Sequence, residues 1–143
     1  MLDRFVDVRV GTDVQSITEV QASWERWGER YTRRLFTDHE LAICGGPPAT
    51  AAPRLAARFA AKEAVLKLLA PVMVAPQWRS IEIRTTPGGA PQVRLTGEAA
   101  ELADRQGIGK VALSLSHGAG IATATAVALV SSARVGDGAR SHG

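Results

Sequence analysis

The sequence predicts an α+β fold in which an antiparallel sheet is combined with one long central helix. Three observations carry that expectation. Apolar and polar residues alternate near both ends of the chain, the middle is rich in alanine and other good helix formers, and Gly/Pro breakers separate the segments. The resulting order is a strand, three helical pieces, two strands, a helix and two strands, a mixture typical of α+β architectures with antiparallel pairing.

The first strand covers Phe5 to Arg9, where Val6, Val8 and Val10 alternate with Asp7 and Arg9 as in a half-buried strand. Gly11 is expected to end it, leaving Asp13 just beyond the end. Ser16, with Glu19 three residues on, has the pattern of a capping box and should start a helix running to about Arg34. Ile17, Val20, Trp24, Trp27 and Tyr31 fall near helical spacing, and Gly28 is the place for a bend or interruption. Thr37 and Glu40 repeat the box and should open a short second helix. Gly45 to Pro53 reads as a loop, and Leu55 to Leu69 as the best-defined helix, ended by Pro71 and Pro76.

Ile81 to Arg84 and Gln92 to Leu95 read as short strands joined by a Pro87-Gly88-Gly89 turn. Thr96 is placed to cap a helix over Gly97 to Gln106. Val111, Leu113, Leu115 and His117 share one face of a strand, and the apolar, β-branched run Ile121 to Val130 is its expected partner. Residues 1–130 are expected to form a single domain. The small, polar segment 131–143 is expected to be a disordered tail.

Composition narrows the function classes. A chain of 143 residues, 45% hydrophobic and 22% charged, can bury a core without metal or disulfide staples. Cys44 is the sole cysteine, so no internal disulfide forms, as befits a reducing compartment. Met1 to Asp7 carries Asp3, Arg4 and Asp7, with no apolar signal core behind them. The longest nearly apolar run, Gly118 to Val130, is 13 residues, too short to cross a bilayer as a helix. The expectation is a cytoplasmic protein that does not enter the membrane. A formal charge of +3 suits an acidic partner or a phosphate-rich ligand and does not require nucleic acid.

Several residues could carry chemistry. Asp13, beside Gly11 at a strand end, can face a ligand, or Asp13 or Thr12 can simply cap the next helix. Glu63 and Lys67 are four apart and share a helix face, with Phe59 on the same face and Leu66 beside it. A carboxylate on a partly buried face needs a partner, which can be Lys67, a metal or both. Arg58 and Lys62 add positive charge to that helix. His117 closes a strand and precedes Gly118 and Gly120, which allow backbone to approach a ligand. His39 and His142 receive no role. There is no GxxxxGK[ST], no GxGxxG after a strand, no HExxH and no CxxC. Ser114-Leu115-Ser116-His117 lacks the flanking glycines of a nucleophile elbow. One cysteine and scattered histidines do not supply a zinc site.

Taken together these segments resemble one family. Val10-Gly11-Thr12-Asp13-Val14 is similar to the opening G-x-D motif of the holo-acyl-carrier-protein synthases. Arg34-Leu35-Phe36-Thr37-Asp38-His39-Glu40 is similar to their R-I-L-T-x-x-E segment. Arg58-Phe59-Ala60-Ala61-Lys62-Glu63-Ala64, followed by Lys67, matches R-F-A-A-K-E-A-x-x-K, the most specific signature. Ile81-Glu82-Ile83-Arg84 with Gly89-Ala90-Pro91, and the closing Ser114-Leu115-Ser116-His117, complete the series in order.

The resemblance implies a compact subunit of the phosphopantetheinyl transferase fold, assembled as a homotrimer with each active site at a subunit interface. It implies that Asp13 and Glu63 bind Mg²⁺, which takes one or two carboxylates alongside phosphate oxygens and water. Lys67 would contact the pyrophosphate of coenzyme A, and His117, Arg58 and Lys62 would help to hold its phosphates. Glu63, Lys67 and His117 are the implied catalytic set. The implied reaction moves 4′-phosphopantetheine from coenzyme A to a serine of an apo-acyl carrier protein and releases adenosine 3′,5′-bisphosphate. Glu63, directly or through a metal-bound water, is the candidate base.

This chain departs from the family pattern in places. Where relatives carry basic residues early in the first helix, it has Gln15, Glu19 and Gln21. Positive charge appears later, at Arg26, Arg30, Arg33 and Arg34. Gly118, Ile121 and Ala70 stand where relatives often have a polar residue, tyrosine and glycine. Two other readings stand beside the transferase: a carrier-binding protein of the same fold without activity, and a basic nucleic-acid-binding domain. Metal dependence separates the first from the transferase, and salt-sensitive nucleic-acid binding would mark the second.

Overall fold

The computed structural model describes residues 6–131. The order is β1 (Val6–Ser16), α1 (Ile17–Trp27), α2 (Glu29–Leu35), α3 (Asp38–Ile43), α4 (Pro48–Leu69), a short 3₁₀ turn (Trp78–Ser80), β2 (Ile81–Thr85), β3 (Pro91–Leu95), α5 (Gly97–Arg105), β4 (Ile108–Gly118) and β5 (Ile121–Ser131). Three long strands form an antiparallel sheet in the order β1-β5-β4, and β2 pairs with β3 in a separate hairpin. This is the expected α+β architecture. Phe5 and the expected tail lie outside the described residues, apart from Ser131, which ends β5.

The long strand β1 corrects two expectations. It does not stop at Gly11 but runs on to Ser16, paired with β5 throughout, from Val6 opposite Ser131 to Ser16 opposite Ile121. Asp13 therefore sits inside a strand, opposite Ala124, and does not cap a helix. The side of β1 that meets the protein is also the other one. Val8, Val10 and Val14 are exposed, whereas Gly11 is buried against α4. The reason is distance. A Cβ added at Gly11 would stand 1.9 Å from the Ala64 carbonyl oxygen, so only a residue without a side chain admits the helix here. The facing surfaces are equally small. Ala122, Ala124, Ala126 and Ala128 of β5 and Ala57, Ala60, Ala61 and Ala64 of α4 are all buried.

The helical segment after Ser16 breaks where the sequence allows it. The Ser16 hydroxyl caps α1 by accepting from the Glu19 amide, and Gly28, at φ 56°, separates α1 from α2. Thr37 and Glu40 form the full capping box of α3. Helix α4 begins at Pro48, seven residues before the expected start at Leu55. Pro48 at the first helical position has no amide to satisfy, and Pro53 forfeits one backbone bond. Burial of Ala51, Ala52, Leu55 and Ala56 holds that first part as helix in spite of Pro53. Thr96 stands at the N-cap of α5 but makes no side-chain cap bond.

The core has two parts. One lies between α4, β2, α5 and the sheet, around Val65, Leu68, Leu69, Ile81 and Ile83. The other gathers Val20, Leu35, Phe36, Cys44 and Leu55, with Phe59 and Trp78 packed against it. Phe59 meets both Phe36 and Trp78 edge-on, at centroid separations of 6.4 and 5.4 Å.

Two non-glycine residues hold positive φ: Ala70, which closes α4, and Ala119, in the turn between β4 and β5. Left-handed geometry costs an alanine roughly 1 kcal/mol. Ala70→Gly, and Ala119→Asn ahead of Gly120, should each raise stability by about 0.5–1 kcal/mol, read from urea midpoints. Gly11→Ala should cost more than about 2 kcal/mol, because the helix must retreat from the strand.

Candidate active site

The site is built where β1 crosses α4. Gly11, Asp13 and Gln15 share the strand face turned to that helix, since alternate residues of a strand point the same way. The helix supplies Glu63 and Lys67, one turn apart. Lys67 Nζ lies 3.1 Å from Asp13 Oδ1 and donates also to the Thr12 carbonyl at 2.9 Å. Gln15 Nε2 donates to Asp13 Oδ2 at 2.6 Å, so both carboxylate oxygens are oriented by neighbours. The Asp13 side chain is 13% exposed and that of Lys67 54%. The carboxylate is thus fixed in place, while much of the Lys67 side chain remains accessible.

Glu63 is half-buried beside this pair. Burial raises its carboxyl pKa above the usual value, the negative charge of Asp13 raises it further, and Lys67 opposes both. Two neighbouring carboxylates, one of them with its charge disfavoured by burial and by the other, on a partly desolvated patch with one ammonium, form a site suited to a hard divalent cation. No group of three or more His, Cys, Asp or Glu ligands occurs among the described residues. Mg²⁺ needs no such cage, because it keeps waters and takes substrate phosphate oxygens. Asp13 and Glu63 are the residues that could hold it.

Arg58 lies one turn further towards the start of α4. It is 9% exposed, and its Nε is buried with no hydrogen-bond partner among the described residues. It lines an open cavity of about 310 Å³ with Arg84, Gly89, Pro91, Ser114 and Leu115, between the β2–β3 hairpin and the edge of β4. An orphaned guanidinium nitrogen beside a second arginine is a suitable setting for an anion. Arg84, which also pairs with Glu82, escaped the sequence reading. A resemblance to a strand motif gave no reason to separate its role from that of its neighbours.

His117 is exposed on β4, opposite Ala122, which in turn faces Gln15 on β1. It shares the sheet face of Asp13 but is separated from β1 by the width of β5, roughly 10 Å at ordinary strand spacing. Within one chain, then, Asp13, Glu63 and Lys67 come together, Arg58 opens on the cavity between the hairpin and β4, and His117 stands apart.

Lys62 is placed differently from its expected role. It is 0% exposed, and its ammonium meets Glu40 Oε1 at 2.6 Å, the Ile81 carbonyl at 2.7 Å and the Trp78 carbonyl at 3.1 Å. An ammonium has three N–H donors, and these partners engage them all, leaving none for a phosphate. Burial lowers its pKa while Glu40 opposes the shift. Glu40, explained from sequence by its capping role alone, is the other half of a buried ion pair.

Residues 9–126 match the 4′-phosphopantetheinyl transferase superfamily. The chain belongs to this superfamily. A holo-[acyl-carrier-protein] synthase of Desulforudis audaxviator is 45% identical over 84% of this chain and 91% of its own length. One from Beutenbergia cavernae is 44% identical over 85% of this chain and 97% of its own. Among solved structures, the ACPS–CoA complex of Chronobacterium ammoniagenes superposes with a TM-score of 0.75 at 28% identity, covering 85% of this chain and 96% of that one. No helix among the described residues is long and apolar enough to cross a membrane.

The raised Glu63 carboxyl predicts a stability signature in metal-free protein. A carboxyl whose folded pKa exceeds its unfolded one binds more protons when folded, so its contribution to stability falls as pH rises through that interval. In chelator, Glu63→Gln should melt above the wild type at pH 8, and the difference should shrink towards pH 4. Equal melting curves across that range would show that Glu63 is not strained by its surroundings.

Proposed function

We propose that this protein transfers 4′-phosphopantetheine from coenzyme A to a serine of an apo-acyl carrier protein, releasing adenosine 3′,5′-bisphosphate. The observation that carries the reading is the meeting of Asp13, Glu63 and Lys67 where β1 crosses α4. Support comes from the superfamily match and from the relatives named holo-[acyl-carrier-protein] synthase.

Mg²⁺ held by Asp13 and Glu63 would supply charge neutralisation on the pyrophosphate. The remaining work falls to side chains. Gln15 and Lys67 keep the Asp13 carboxylate in one orientation, and Lys67, still largely accessible, offers its ammonium to the pyrophosphate. Arg58 and Arg84 supply positive charge in the cavity between the hairpin and β4 for the remaining phosphate of the nucleotide. In the reaction the serine oxygen bonds to the phosphorus bearing pantetheine, and the bond from that phosphorus to the bisphosphate oxygen breaks. The serine proton passes to Glu63, directly or through water.

His117 reaches such a site most directly from another subunit. The outer face of the sheet gives a reason for assembly: Val8, Val10, Val14, Ile121 and Leu129 are all exposed on β1 and β5. Exposed apolar residues gathered on one face, here interspersed with Thr12, Thr123 and Thr125, are characteristic of an interface. We therefore read the protein as a homotrimer in which the partner's face covers these residues.

The carrier is read as docking on α2 and its surroundings. Arg30 and Arg34 line an open cavity of about 510 Å³ with Trp27, Tyr31, Leu35 and Trp78. Arg34 and Trp78 also border a neighbouring one with Arg33, Leu66 and Arg79. No carboxylate lines either cavity. Arginines beside aromatic side chains complement an acidic helix with an apolar contact.

The decisive assay mixes the protein with coenzyme A, Mg²⁺ and several apo-carriers and looks for the phosphopantetheine mass increment. Asp13→Ala and Glu63→Ala should each lower the rate by at least about 10²-fold at limiting Mg²⁺ with the fold intact. Near-normal activity in either would remove the metal assignment. Arg30→Glu with Arg34→Glu should raise KM for the carrier by about tenfold or more and weaken its salt dependence, leaving KM for coenzyme A unchanged. An unchanged carrier KM would place docking elsewhere.

A further inference from the structure

The Glu40–Lys62 pair is the most deeply buried charged feature among the described residues, and the proposed reaction makes no direct use of it. The two side chains are 1% and 0% exposed. Each is also bound to several elements. Glu40 Oε1 accepts from the Thr37 amide at 2.8 Å and Oε2 from the Ile83 amide at 2.8 Å. Lys62 donates to the carbonyls of Trp78 and Ile81 and lies 5.5 Å over the Phe36 ring. One ion pair therefore ties α4 to the start of α3, to the 3₁₀ turn and to β2.

Stability alone does not account for it. A buried pair often gains little over apolar side chains of the same volume, because desolvation offsets the attraction. What it adds is direction. On its sheet side α4 presents alanines to Gly11 of β1 and the alanines of β5, with Leu113 and Leu115 of β4 at the margin, and its only bonds to β1 among those described run through the long side chains of Arg9 and Lys67. Small, smooth faces allow close approach but resist rolling weakly. Lys62 is the residue immediately before Glu63, about 100° around the helix from it. With Lys62 pinned towards β2, Glu63 is turned towards β1 and Asp13. Lys67, one turn beyond Glu63, follows. Arg58, one turn before Lys62, is turned into the cavity that Ile83 also lines.

We propose that Glu40 and Lys62 are positioning residues: their ion pair sets the roll of α4 and thereby places Glu63 and Lys67 opposite Asp13. The inference rests on the transferase reading for its kinetic consequences. A misplacement of about 1 Å at the reacting groups can cost on the order of 10²-fold in rate.

The test compares Glu40→Gln, Lys62→Met and the double variant, which removes both charges together. Folding is followed by circular dichroism and melting, Mg²⁺ binding by calorimetry in the presence of coenzyme A, and transfer by mass. Each folded variant should lose about 10²-fold in kcat and bind Mg²⁺ about tenfold more weakly, and any rise in KM for coenzyme A should be of similar size in all three, because each frees the same helix that carries Arg58 and Lys67. The double variant should be no worse than the more damaged single one, since both break the same link. Should a single variant fail to fold because it strands a buried charge, the neutral double variant carries the test. A folded double variant with wild-type kcat and Mg²⁺ affinity overturns the proposal. So does a rise in coenzyme A KM for Lys62→Met that Glu40→Gln does not share, which would return Lys62 to direct phosphate contact. A wild type that binds Mg²⁺ but modifies no carrier refutes the transferase reading, and Mg²⁺ affinity alone then judges the pair. A wild type that does neither overturns both.

Discussion

The contact between Gly11 and the backbone of Ala64 is the constraint from which the rest of the site follows. The strand passes the helix so closely that a side chain at residue 11 has no room. That closeness brings Asp13, two residues along the same strand face, within reach of Lys67 and sets its charge against Glu63. It also dictates the composition of both surfaces. Larger residues on β5 or α4 would push the layers towards ordinary sheet–helix spacing and open the gap between the two carboxylates. The small side chains belong to the geometry of the site as much as to the core.

Close packing of small residues has a cost that other parts of the fold offset. Alanine faces bury modest apolar area and interlock poorly. The larger core residues lie instead to either side, around Leu68, Ile81 and Ile83 in one cluster and Phe36, Leu55 and Phe59 in the other. The Glu40–Lys62 pair bridges these regions, joining α3 and β2 to the middle of α4. The helix that carries the candidate site residues is thus held by apolar packing along its flanks, by the buried bonds of Lys62, and by the bonds that Lys67 and Arg9 make between it and β1.

The sheet presents two different faces for the same reason. Its inner face is small where α4 approaches, at Gly11 of β1 and Ala122 to Ala128 of β5, and larger on β4, where Val111, Leu113 and Leu115 join the core. Its outer face carries Val8, Val10, Val14 and Leu129 in the open. Alternation in β1 was visible from the sequence, but alternation does not say which set of residues faces inward. The valines were the natural choice for a core. They lose that position to Gly11 because the helix backbone, rather than a side chain, fills the space above it.

The sequence by itself determined the order and type of nearly every element, the two helix-start signals at Ser16 and Thr37, the break at Gly28, and the family motifs that single out Asp13, Glu63 and Lys67. These are local properties, set by periodicity, capping chemistry and residue identity. The tertiary structure decided what local pattern cannot encode. It extended β1 through Asp13, because eleven pairs with β5 outweigh a glycine. It carried α4 back across Pro53, because buried flanks offset one missing backbone bond. It separated Lys62 from Glu63, adjacent in one motif, into a buried ion pair and a half-buried carboxylate. Neighbours on a helix differ by about 100° in direction, and only the packing of β1 and β2 around α4 determines which direction meets Glu40 and which meets Asp13.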